Sequence, residues 1–172
     1  MTGEIHEDVD PFATAEDDRD PERRFRGRLA APVTVITAGD ASDRTGMTVS
    51  SIVVSEGEPG KVHFIAAPTA DLCDVIDRSG RFVVHILGTD NREISEIFSE
   101  RRPSPGGLFA GVAYGDGAWG PVLTEVADRA YCSAARSTTE GYSLLVSGDI
   151  DEIDTADLED PLVYFRGRYR QI

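Results

Sequence analysis

Short strand-like segments separated by turns make up most of this chain, and this pattern restricts the fold more than any other feature. Each segment is rich in Val, Ile, Phe or Tyr and is bounded by Gly, Pro, Asp or Ser, as is typical of β-strands joined by turns. The predicted strands cover residues 33–37, 47–55, 62–66, 81–87, 128–137, 142–153 and 163–169. Because strands and helices do not alternate, we expect an antiparallel barrel rather than a doubly wound parallel sheet.

Short helices complete the predicted fold, which is therefore mainly β with a small helical content. One helix is expected over residues 21–30. Apolar residues at helical spacing predict a second helix that begins at Asp71 and stops at Gly80. A third helix is expected over residues 91–101. Its buried stripe is Ile94, Ile97 and Phe98.

The first 20 residues differ in composition from the rest of the 172-residue chain. They carry eight acidic side chains against the single Arg19, a net charge of −7, and few apolar residues. Too little apolar surface is available there to offset the entropy cost of ordering the backbone. We therefore predict a disordered acidic tail over residues 1–20 and a single domain over residues 21–172.

The net charge of −14 limits the partners of this protein. Binding to nucleic acids or anionic membranes depends on clustered Lys and Arg, so we expect neither partner. No apolar run approaches the roughly 20 residues that span a bilayer. The acidic N-terminus lacks the basic start and apolar segment of a secretory signal, and we predict a cytoplasmic location.

Cysteine and histidine positions give no indication of a metal centre or a nucleophile. Cys73 and Cys132 are far apart and have no second ligand at metal-binding spacing, so both are expected to be reduced core thiols. His6, His63 and His85 form no HxH or HExxH grouping. The chain has no GxxxxGK[ST] motif, so a bound nucleotide must be held by something other than a P-loop.

Residues 45–51 combine hydroxyl-bearing side chains with the flexible Gly46 in a segment that otherwise reads as a strand. In a half-buried strand Thr48 and Ser50 point to one face and Ser51 points to the other. A buried hydroxyl without a partner costs about 1 to 3 kcal/mol, and an anionic or polyhydroxylated ligand would supply partners. A Ser/Thr-rich edge strand wetted by solvent explains the same composition.

Four short segments in a fixed order carry a resemblance to a known family. They are Pro32-Val33-Thr34-Val35, Gly46-Met47-Thr48, Gly80-Arg81-Phe82 and Arg166-Gly167-Arg168-Tyr169, with a helix between the second and the third. In this order they resemble the flavin reductase-like family, whose members fold as FMN-binding split barrels. The resemblance extends from about Phe25 to Ile172, and it implies an antiparallel split β-barrel of the FMN-binding type.

The resemblance also implies an activity. Members of this family bind FMN, and in some cases FAD, in a groove at the interface of a homodimer and reduce it with NADH or NADPH. Hydride passes from the nicotinamide to the flavin, so the protein orients the two rings and excludes water without a catalytic side chain. This chain is therefore expected to be an NAD(P)H-dependent flavin oxidoreductase, with a monooxygenase as the partner that receives the reduced flavin.

The family pattern implies a set of cofactor-binding residues. They lie in the hydroxyl-bearing strand and its neighbour, in the segment before the second helix, and at the C-terminal end of the chain. Amide groups at the start of that helix would favour the FMN phosphate. The implied residues are Thr34, Met47, Thr48, Ser50, Ser51, Ala67, Pro68, Thr69, Arg168 and Tyr169. For Arg168 a salt bridge on the acidic surface is an alternative role.

Two positions depart from the family pattern. Ala70-Asp71-Leu72 stands where many members have Ser-x-Thr, although Asp71 could act as the helix N-cap. Tyr142-Ser143 stands where many members have an Asp-His pair. These departures favour a second hypothesis, a split-barrel protein that binds flavin or another small ligand without reductase turnover. A cofactor-free enzyme that folds and cyclises a small metabolite in the groove is a third.

The glycine-rich segment 101–109 has two interpretations. As a lid it would bring Arg101 and Arg102 to a phosphate and Phe109 over the flavin ring, and its glycines would allow it to move. As an ordinary surface loop it would be held in place by an apolar anchor.

Overall fold

The computed structural model describes residues 20–172. Of the predicted acidic tail, residues 1–19 therefore lie outside the described residues. The strands are Ala31–Pro32 (β1), Thr34–Ala38 (β2), Thr45–Val49 (β3), Ile52–Ser55 (β4), Lys61–Ala66 (β5), Phe82–Ile86 (β6), Tyr114–Gly115 (β7), Val122–Leu123 (β8), Arg129–Glu140 (β9), Ser143–Asp154 (β10), Val163–Phe165 (β11) and Arg168–Arg170 (β12). Seven of them form an antiparallel sheet in the order β3-β2-β6-β9-β10-β5-β4. The predicted antiparallel, mainly β architecture is confirmed.

The three expected helices are present: the second has its predicted bounds, whereas the first and the third are shorter than predicted. They are Pro21–Arg26 (α1), Asp71–Ser79 (α2) and Arg92–Phe98 (α3). Gly80 ends α2 in the left-handed conformation, with φ of 66°, as its position in the sequence predicts. The stripe of Ile94, Ile97 and Phe98 on α3 is buried as predicted. Within residues 20–172 no helix has the length and apolar character needed to cross a bilayer.

The predicted strand over residues 47–55 is wrong in one respect, because this stretch forms two strands. β3 pairs with β2, with Val49 opposite Thr34, whereas β4 pairs with β5, with Ile52 opposite Phe64. The two strands therefore lie at opposite edges of the sheet, and residues 50 and 51 between them belong to neither. The sheet curls so that β3 also contacts β5, which brings its two edges together.

The predicted strand over residues 163–169 is a hairpin. β11 and β12 pair through the two-residue turn Arg166-Gly167, in which φ is 51° and 82°. Positive φ at both central positions is what a type I′ turn requires, and a glycine adopts it without a steric cost. The hairpin pairs with β1 in a separate three-stranded sheet. The Arg166 amide donates to the Gly27 carbonyl oxygen at 2.9 Å, which joins the hairpin to α1.

Apolar side chains fill two cores on opposite faces of β2 and its neighbours. The first core lies under α2, and its members include Ile36, Val49, Phe64, Leu72, Ile76 and Phe82. The second core lies under α3, and its members include Val33, Val35, Leu87, Ile97, Phe98 and Leu123. A Cβ at Gly46 would lie 2.7 Å from Phe98 Cε1, so only glycine allows α3 to approach β3 this closely.

Cys73 and Cys132 are free thiols buried in the first core, as predicted. Burial raises the pKa of the Cys73 thiol, and it raises the pKa of Cys132 to about 12. A nucleophilic cysteine needs a lowered pKa and access to solvent. These thiols therefore have a packing role.

His85 is fully buried and joins three strands through its ring nitrogens. Nδ1 lies 3.1 Å from the Val35 carbonyl oxygen, and the Leu123 amide donates to Nε2 at 3.0 Å. This pair of partners requires the neutral ring with its proton on Nδ1. Burial lowers the pKa of His85 from 6.5 to about 4, and the nearby Arg129 adds to this effect.

The His85 environment predicts a loss of stability in mild acid. Because its pKa is lower in the folded than in the unfolded state, the stabilisation is complete above pH 6.5 and is lost as the pH falls towards 4. We expect the free energy of unfolding to fall by on the order of 3 kcal/mol over this range. Urea unfolding of the wild type and of His85→Gln at several pH values measures this change in the free energy of unfolding. The variant should lack most of the pH dependence. Equal pH dependence in both proteins would contradict this account.

Candidate functional site

A continuous set of hydrogen bonds joins the hydroxyl-bearing strand to α3 and to the C-terminal hairpin. Thr48 Oγ1 on β3 donates to the Ser95 carbonyl oxygen at 2.8 Å. The Ser95 and Tyr169 hydroxyl oxygens are 2.7 Å apart, which links α3 to β12. Two of the predicted site residues, Thr48 and Tyr169, are thus connected through a buried serine that sequence reasoning missed. Its only sequence signal is its place beside the apolar stripe of α3.

The ring of Tyr169 packs against side chains of this chain. Its centroid lies 5.6 Å from the Tyr164 ring centroid, 5.3 Å from Arg92 Cζ and 5.9 Å from Arg101 Cζ. The preceding Arg168 is exposed and forms no ion pair within residues 20–172. A surface salt bridge, the alternative role of Arg168, would therefore need an acidic partner, and residues 20–172 provide none in this structure.

Ser50 and Ser51 lie where the chain passes from one sheet edge to the other. Both side chains are half-buried, and neither hydroxyl has a hydrogen-bond partner among residues 20–172. The Ile65 amide donates to the Ser51 carbonyl oxygen at 3.0 Å, so Ser51 lies beside the end of β5. Since β5 leads directly into residues 67–69, the two serines are close to the segment predicted to bind phosphate.

Ala67, Pro68 and Thr69 are exposed between β5 and α2. Ala70 is the N-cap of α2 and provides no side-chain hydrogen bond to the helix. The expectation that Asp71 acts as the cap is wrong, because Asp71 is the first residue of the helix. The amide groups of the first turn are therefore left without a side-chain acceptor from the cap, and such groups attract anions.

Two predicted residues are directed into the fold. Thr34 is 2% exposed, and its hydroxyl donates to the Val49 carbonyl oxygen at 2.7 Å. Met47 is half-buried and packs against the core under α2. Thr34 thus fixes the pairing of β2 with β3, and Met47 lies at the boundary between the core and the expected cofactor groove.

The side chains of the segment 101–109 are engaged within the protein. Arg101 Cζ lies 5.2 Å from the Tyr164 ring centroid, and Arg102 pairs with Glu93 at 2.8 Å. The Phe109 ring packs edge-on against Phe98 at 5.3 Å. This arrangement agrees with a surface loop held by an apolar anchor, the second of the two interpretations.

The following segment contains a glycine pattern that resembles a nucleotide motif. Gly115, Gly117 and Gly120 have GxGxxG spacing. The dinucleotide-binding motif connects a strand to a helix, whereas this segment connects β7 to β8. A Cβ on Gly120 would lie 3.0 Å from Ala38 Cα, so this glycine serves close packing on β2.

A cavity of about 700 Å³ lies between the outer face of α2, the start of β3 and the loop before β7. We call it the α2 cavity. It is lined by Asp43, Arg44, Thr45, Asp71, Asp74, Val75, Arg78, residues 106–110 and Tyr114. Sequence reasoning identified only Asp71 among its charged residues. The cavity is assembled from three distant parts of the chain, and no local pattern marks them as neighbours.

The two arginines of the α2 cavity already have partners. Arg78 pairs with the Asp43 carboxylate at 3.1 Å, and Arg44 donates to the Tyr114 hydroxyl. A hydrogen bond from the Asp40 amide, followed by the Arg78 contact, lowers the pKa of Asp43. Asp71 and Asp74 are exposed and have no cationic partner within residues 20–172. The wall formed by α2 is therefore negative.

The hairpin between β9 and β10 ends close to the same region. Leu144 pairs with Ala66 at the end of β5, so the tip residues extend beside residues 67–69. Tyr142 at this tip is completely exposed. The departure from the family pattern at Tyr142-Ser143 thus lies at the same end of the sheet as the departure at Asp71.

Comparisons of the sequence and the structure with known proteins identify the family of this chain. A family model described as "Flavin reductase like domain" matches residues 26–172. This chain belongs to the flavin reductase-like family. Over 153 residues it is 35% identical to the NADH-dependent FMN reductase AsuE2 of Streptomyces nodosus subsp. asukaensis, with 86% of this chain and 81% of the relative covered. It is 30% identical over 164 residues to HsaB of Rhodococcus jostii, a flavin-dependent monooxygenase reductase subunit, with 93% and 82% covered.

Solved structures of flavin reductases have the same fold. The structure of flavin reductase PheA2 superposes with a TM-score of 0.79 at 25% identity and covers 90% of this chain and 99% of its own. The NADH:FAD oxidoreductase SgcE6 of Streptomyces globisporus superposes with a TM-score of 0.80 at 21% identity, with 93% and 96% covered. The predicted split-barrel fold of this flavin reductase-like chain is thereby confirmed.

The Ser95–Tyr169 hydrogen bond predicts a specific stability loss. Tyr169→Phe leaves the buried Ser95 hydroxyl without this partner, so we expect the free energy of unfolding to fall by about 1 to 2 kcal/mol. Urea unfolding measures the change. Tyr142→Phe is the matched control, since its hydroxyl lies on a completely exposed ring, and it should have no effect. Equal losses in both variants would contradict a role for this bond.

Proposed function

We propose that this protein binds FMN, or FAD, in the groove beside Ser50 and Ser51 and reduces it with NADH or NADPH. The observation that supports the proposal is the position of Ser50 and Ser51 beside the end of β5, which leads into the N-terminus of α2 that has no side-chain cap. Neither serine hydroxyl has a hydrogen-bond partner among residues 20–172. Hydroxyl and amide groups are the donors that a phosphate ester accepts. Membership of the flavin reductase-like family supports the same activity.

The donor set fits a phosphorylated flavin without an arginine. In our proposal Ser50, Ser51 and Thr69 donate to the phosphate and ribityl oxygens, together with the amide groups that begin α2. Met47 provides apolar surface beside the ring, and Thr48 retains acceptor lone pairs although its proton is donated to Ser95. Thr34 acts by holding β3 in place, since its hydroxyl is already bonded inside the sheet.

The protein contributes binding and orientation rather than acid–base chemistry. When bound, the flavin supplies the redox chemistry by accepting a hydride from NADH or NADPH, which leaves as NAD⁺ or NADP⁺. In our proposal the side chains of β3 exclude water from the groove and limit the angle at which two flat rings can stack. The network from Thr48 through Ser95 to Tyr169 holds the groove rigid while ligands exchange.

Removing the two serine hydroxyls tests the proposed phosphate position. Ser50→Ala/Ser51→Ala should raise the dissociation constant for FMN by roughly tenfold or more, because hydrogen bonds to a charged group are lost. Quenching of flavin fluorescence in a titration measures the affinity. Ser133→Ala, whose hydroxyl bonds to Asp151 at 2.9 Å elsewhere on the sheet, is the control and should bind FMN normally. Unchanged affinity in the double variant would show that the phosphate binds elsewhere.

Turnover separates the reductase from a binding protein of the same fold. The departures at Asp71 and Tyr142-Ser143 favour the second candidate, a carrier of flavin or another small ligand without useful turnover. Oxidation of NADH or NADPH, followed by absorbance with FMN present, decides between them. A folded protein that quenches FMN fluorescence but oxidises neither nucleotide would support the carrier.

We further infer that the protein is a homodimer formed through the outer face of β4 and β5. Val53 and Ile65 on this face are 64% and 48% exposed, and the register aligns Leu145 with Ile65. An exposed apolar face on an edge strand favours association with another chain. A charge of −14 on each copy opposes association, so the contact must come from apolar surface.

A charge placed on this face should dissociate the dimer. We expect wild type to have twice the chain mass by light scattering and Ile65→Asp to be monomeric, since burial of an unpaired carboxylate is costly. Ile153→Asp changes an exposed isoleucine at the far end of β10 and should remain dimeric. A monomeric wild type, or a dimeric Ile65→Asp protein, would contradict this interface.

The names of the relatives support a monooxygenase as the partner of this protein. HsaB is the reductase subunit of a flavin-dependent monooxygenase, and a similar protein of Thermus thermophilus is the reductase component of 4-hydroxyphenylacetate 3-monooxygenase. We propose that reduced flavin from this chain serves an oxygenase of this kind. The free thiols of Cys73 and Cys132 fit the reducing environment of the cytoplasm, where we place the protein.

A further inference from the structure

Arginine side chains are concentrated on α1 and on the C-terminal hairpin, and these two elements adjoin in the fold. Residues 20–29 and 163–172 hold seven arginines and only two acidic side chains, both at the start of α1. The Arg166 amide donates to the Gly27 carbonyl oxygen at 2.9 Å, so the turn of the hairpin lies against the end of α1. We call the surface formed by these seven side chains the arginine surface. They are Arg23, Arg24, Arg26, Arg28, Arg166, Arg168 and Arg170.

The strand geometry of the hairpin directs two of these arginines outwards. The Tyr169 hydroxyl lies 2.7 Å from that of Ser95 on α3, so the Tyr169 side chain faces the protein. Successive side chains of a strand point to opposite faces, and Arg168 and Arg170 therefore lie on the outer face of β12. Both are exposed and form no ion pair within residues 20–172. The same holds for the arginines at positions 23, 26 and 28.

Apolar side chains are exposed beside these charges. α1 has no buried residue, and Phe25 and Leu29 are 70% and 56% exposed. A helix of six residues has little stability of its own in water and depends on packing against other groups. The face of α1 that carries Phe25 is therefore suited to an occupant that is both apolar and negatively charged.

The acidic tail, residues 1–19, has this chemistry. It carries seven carboxylates against the single Arg19, and its apolar side chains are Met1, Ile5, Val9 and Phe12, with small alanines. It joins the described chain at Asp20, immediately before α1. At about 3.3 Å per residue it reaches roughly 60 Å when extended, whereas α1 is only about 9 Å long. The tail is therefore long enough to turn back over α1 and reach the hairpin.

The covalent connection favours the tail over an occupant from solution. A single exposed ion pair is weak, but a short flexible tether gives an effective concentration on the order of millimolar. Several weak pairs then act together without a further loss of translational freedom. A second copy of the chain lacks this advantage, and its net charge of −14 opposes its approach.

We propose that residues 1–19 bind back onto the arginine surface of the same chain, through ion pairs between carboxylates and arginines and through contacts with Phe25 and Leu29. The contact covers the exposed face of α1 and neutralises a concentrated positive surface. The inference is independent of the proposed reductase function, because it requires neither flavin nor nucleotide.

The mobility of a nitroxide label in the tail tests this contact in the full-length protein. Thr14→Cys provides a single reactive thiol, because Cys73 and Cys132 are buried and the pKa of each is raised. Electron paramagnetic resonance measures the rotational correlation time of the label. We expect this time to shorten by about threefold or more between 0.1 and 1 M salt, since the Debye length falls from about 10 Å to about 3 Å.

Charge reversal on the arginine surface should release the label without added salt. Arg28→Glu/Arg170→Glu changes one exposed side chain on each part of the surface, and its correlation time at low salt should equal the high-salt value of the wild type. Arg81→Glu/Arg136→Glu is the matched control, with the same change in net charge. Arg81 donates to the Ala118 carbonyl oxygen at 3.1 Å, and the Arg136 side chain is 67% exposed on β9. This control should behave as wild type.

The tail can also be changed without altering the described residues. Asp17→Asn/Asp18→Asn removes two carboxylates and should shorten the correlation time at low salt. A label that is already fast in the wild type at low salt, or equal release in the control, would overturn the inference. Restriction that persists at high salt and in Arg28→Glu/Arg170→Glu would do so too. A correlation time that shortens on about tenfold dilution would assign the surface to the tail of another molecule and contradict binding within one chain.

Discussion

The rest of the structure depends on how the chain divides the segment from Thr45 to Ser55 between two sheet edges. Its first half pairs with β2 and its second half with β5, so a single extended stretch closes the curled sheet. Backbone pairing is interrupted only where the chain passes from one edge to the other. Ser50 and Ser51 lie at this interruption, beside the end of β5 and the start of α2. Closure of the barrel therefore positions these two serines at the place where we propose that the cofactor binds.

The hydroxyl groups around this groove have two kinds of role. Thr34, Thr37 and Thr48 each donate to a backbone carbonyl oxygen, on Val49, Pro121 and Ser95 respectively. These bonds fix β2 and β3 against their neighbours on both sides. The hydroxyls of the two serines are not used in this way within the described residues. A structural network thus surrounds a small set of groups that remain available for binding.

Much of this fold was accessible from the sequence. The alternation of apolar segments and turns predicted the antiparallel sheet, and Gly80 marked the end of α2. The break at Ser50 was not predictable, because it depends on pairing with strands that are distant in sequence. The turn at Arg166 was not predictable either, because it requires a positive φ at a residue other than glycine. The family pattern implies Thr34 as a cofactor-binding residue because it lies in the strand next to the hydroxyl-bearing strand, but its hydroxyl is bonded inside the sheet. β2 is buried on both faces, since a helix packs on each side of the sheet.

The candidate site was predictable only where it is local. The strand hydroxyls and the segment before α2 belong to short motifs, whereas the α2 cavity combines residues 43–45, 71–78 and 106–114. No spacing rule relates these three stretches. Their proximity follows from the packing of α2 against β2 and β3, which is itself a consequence of how the barrel closes.

The distribution of charge explains why such a site would rely on short-range contacts. Seven of the 17 Lys and Arg residues lie on α1, just after it, or in the C-terminal hairpin: Arg23, Arg24, Arg26, Arg28, Arg166, Arg168 and Arg170. The α2 cavity holds only two arginines, and both are paired with groups of the protein. A chain of net charge −14 repels an anionic ligand at long range, and this repulsion is screened beyond about 8 to 10 Å in physiological salt. Recognition of a phosphorylated cofactor must then come from hydroxyl and amide donors in direct contact with it, which are the groups concentrated where β3 ends and α2 begins.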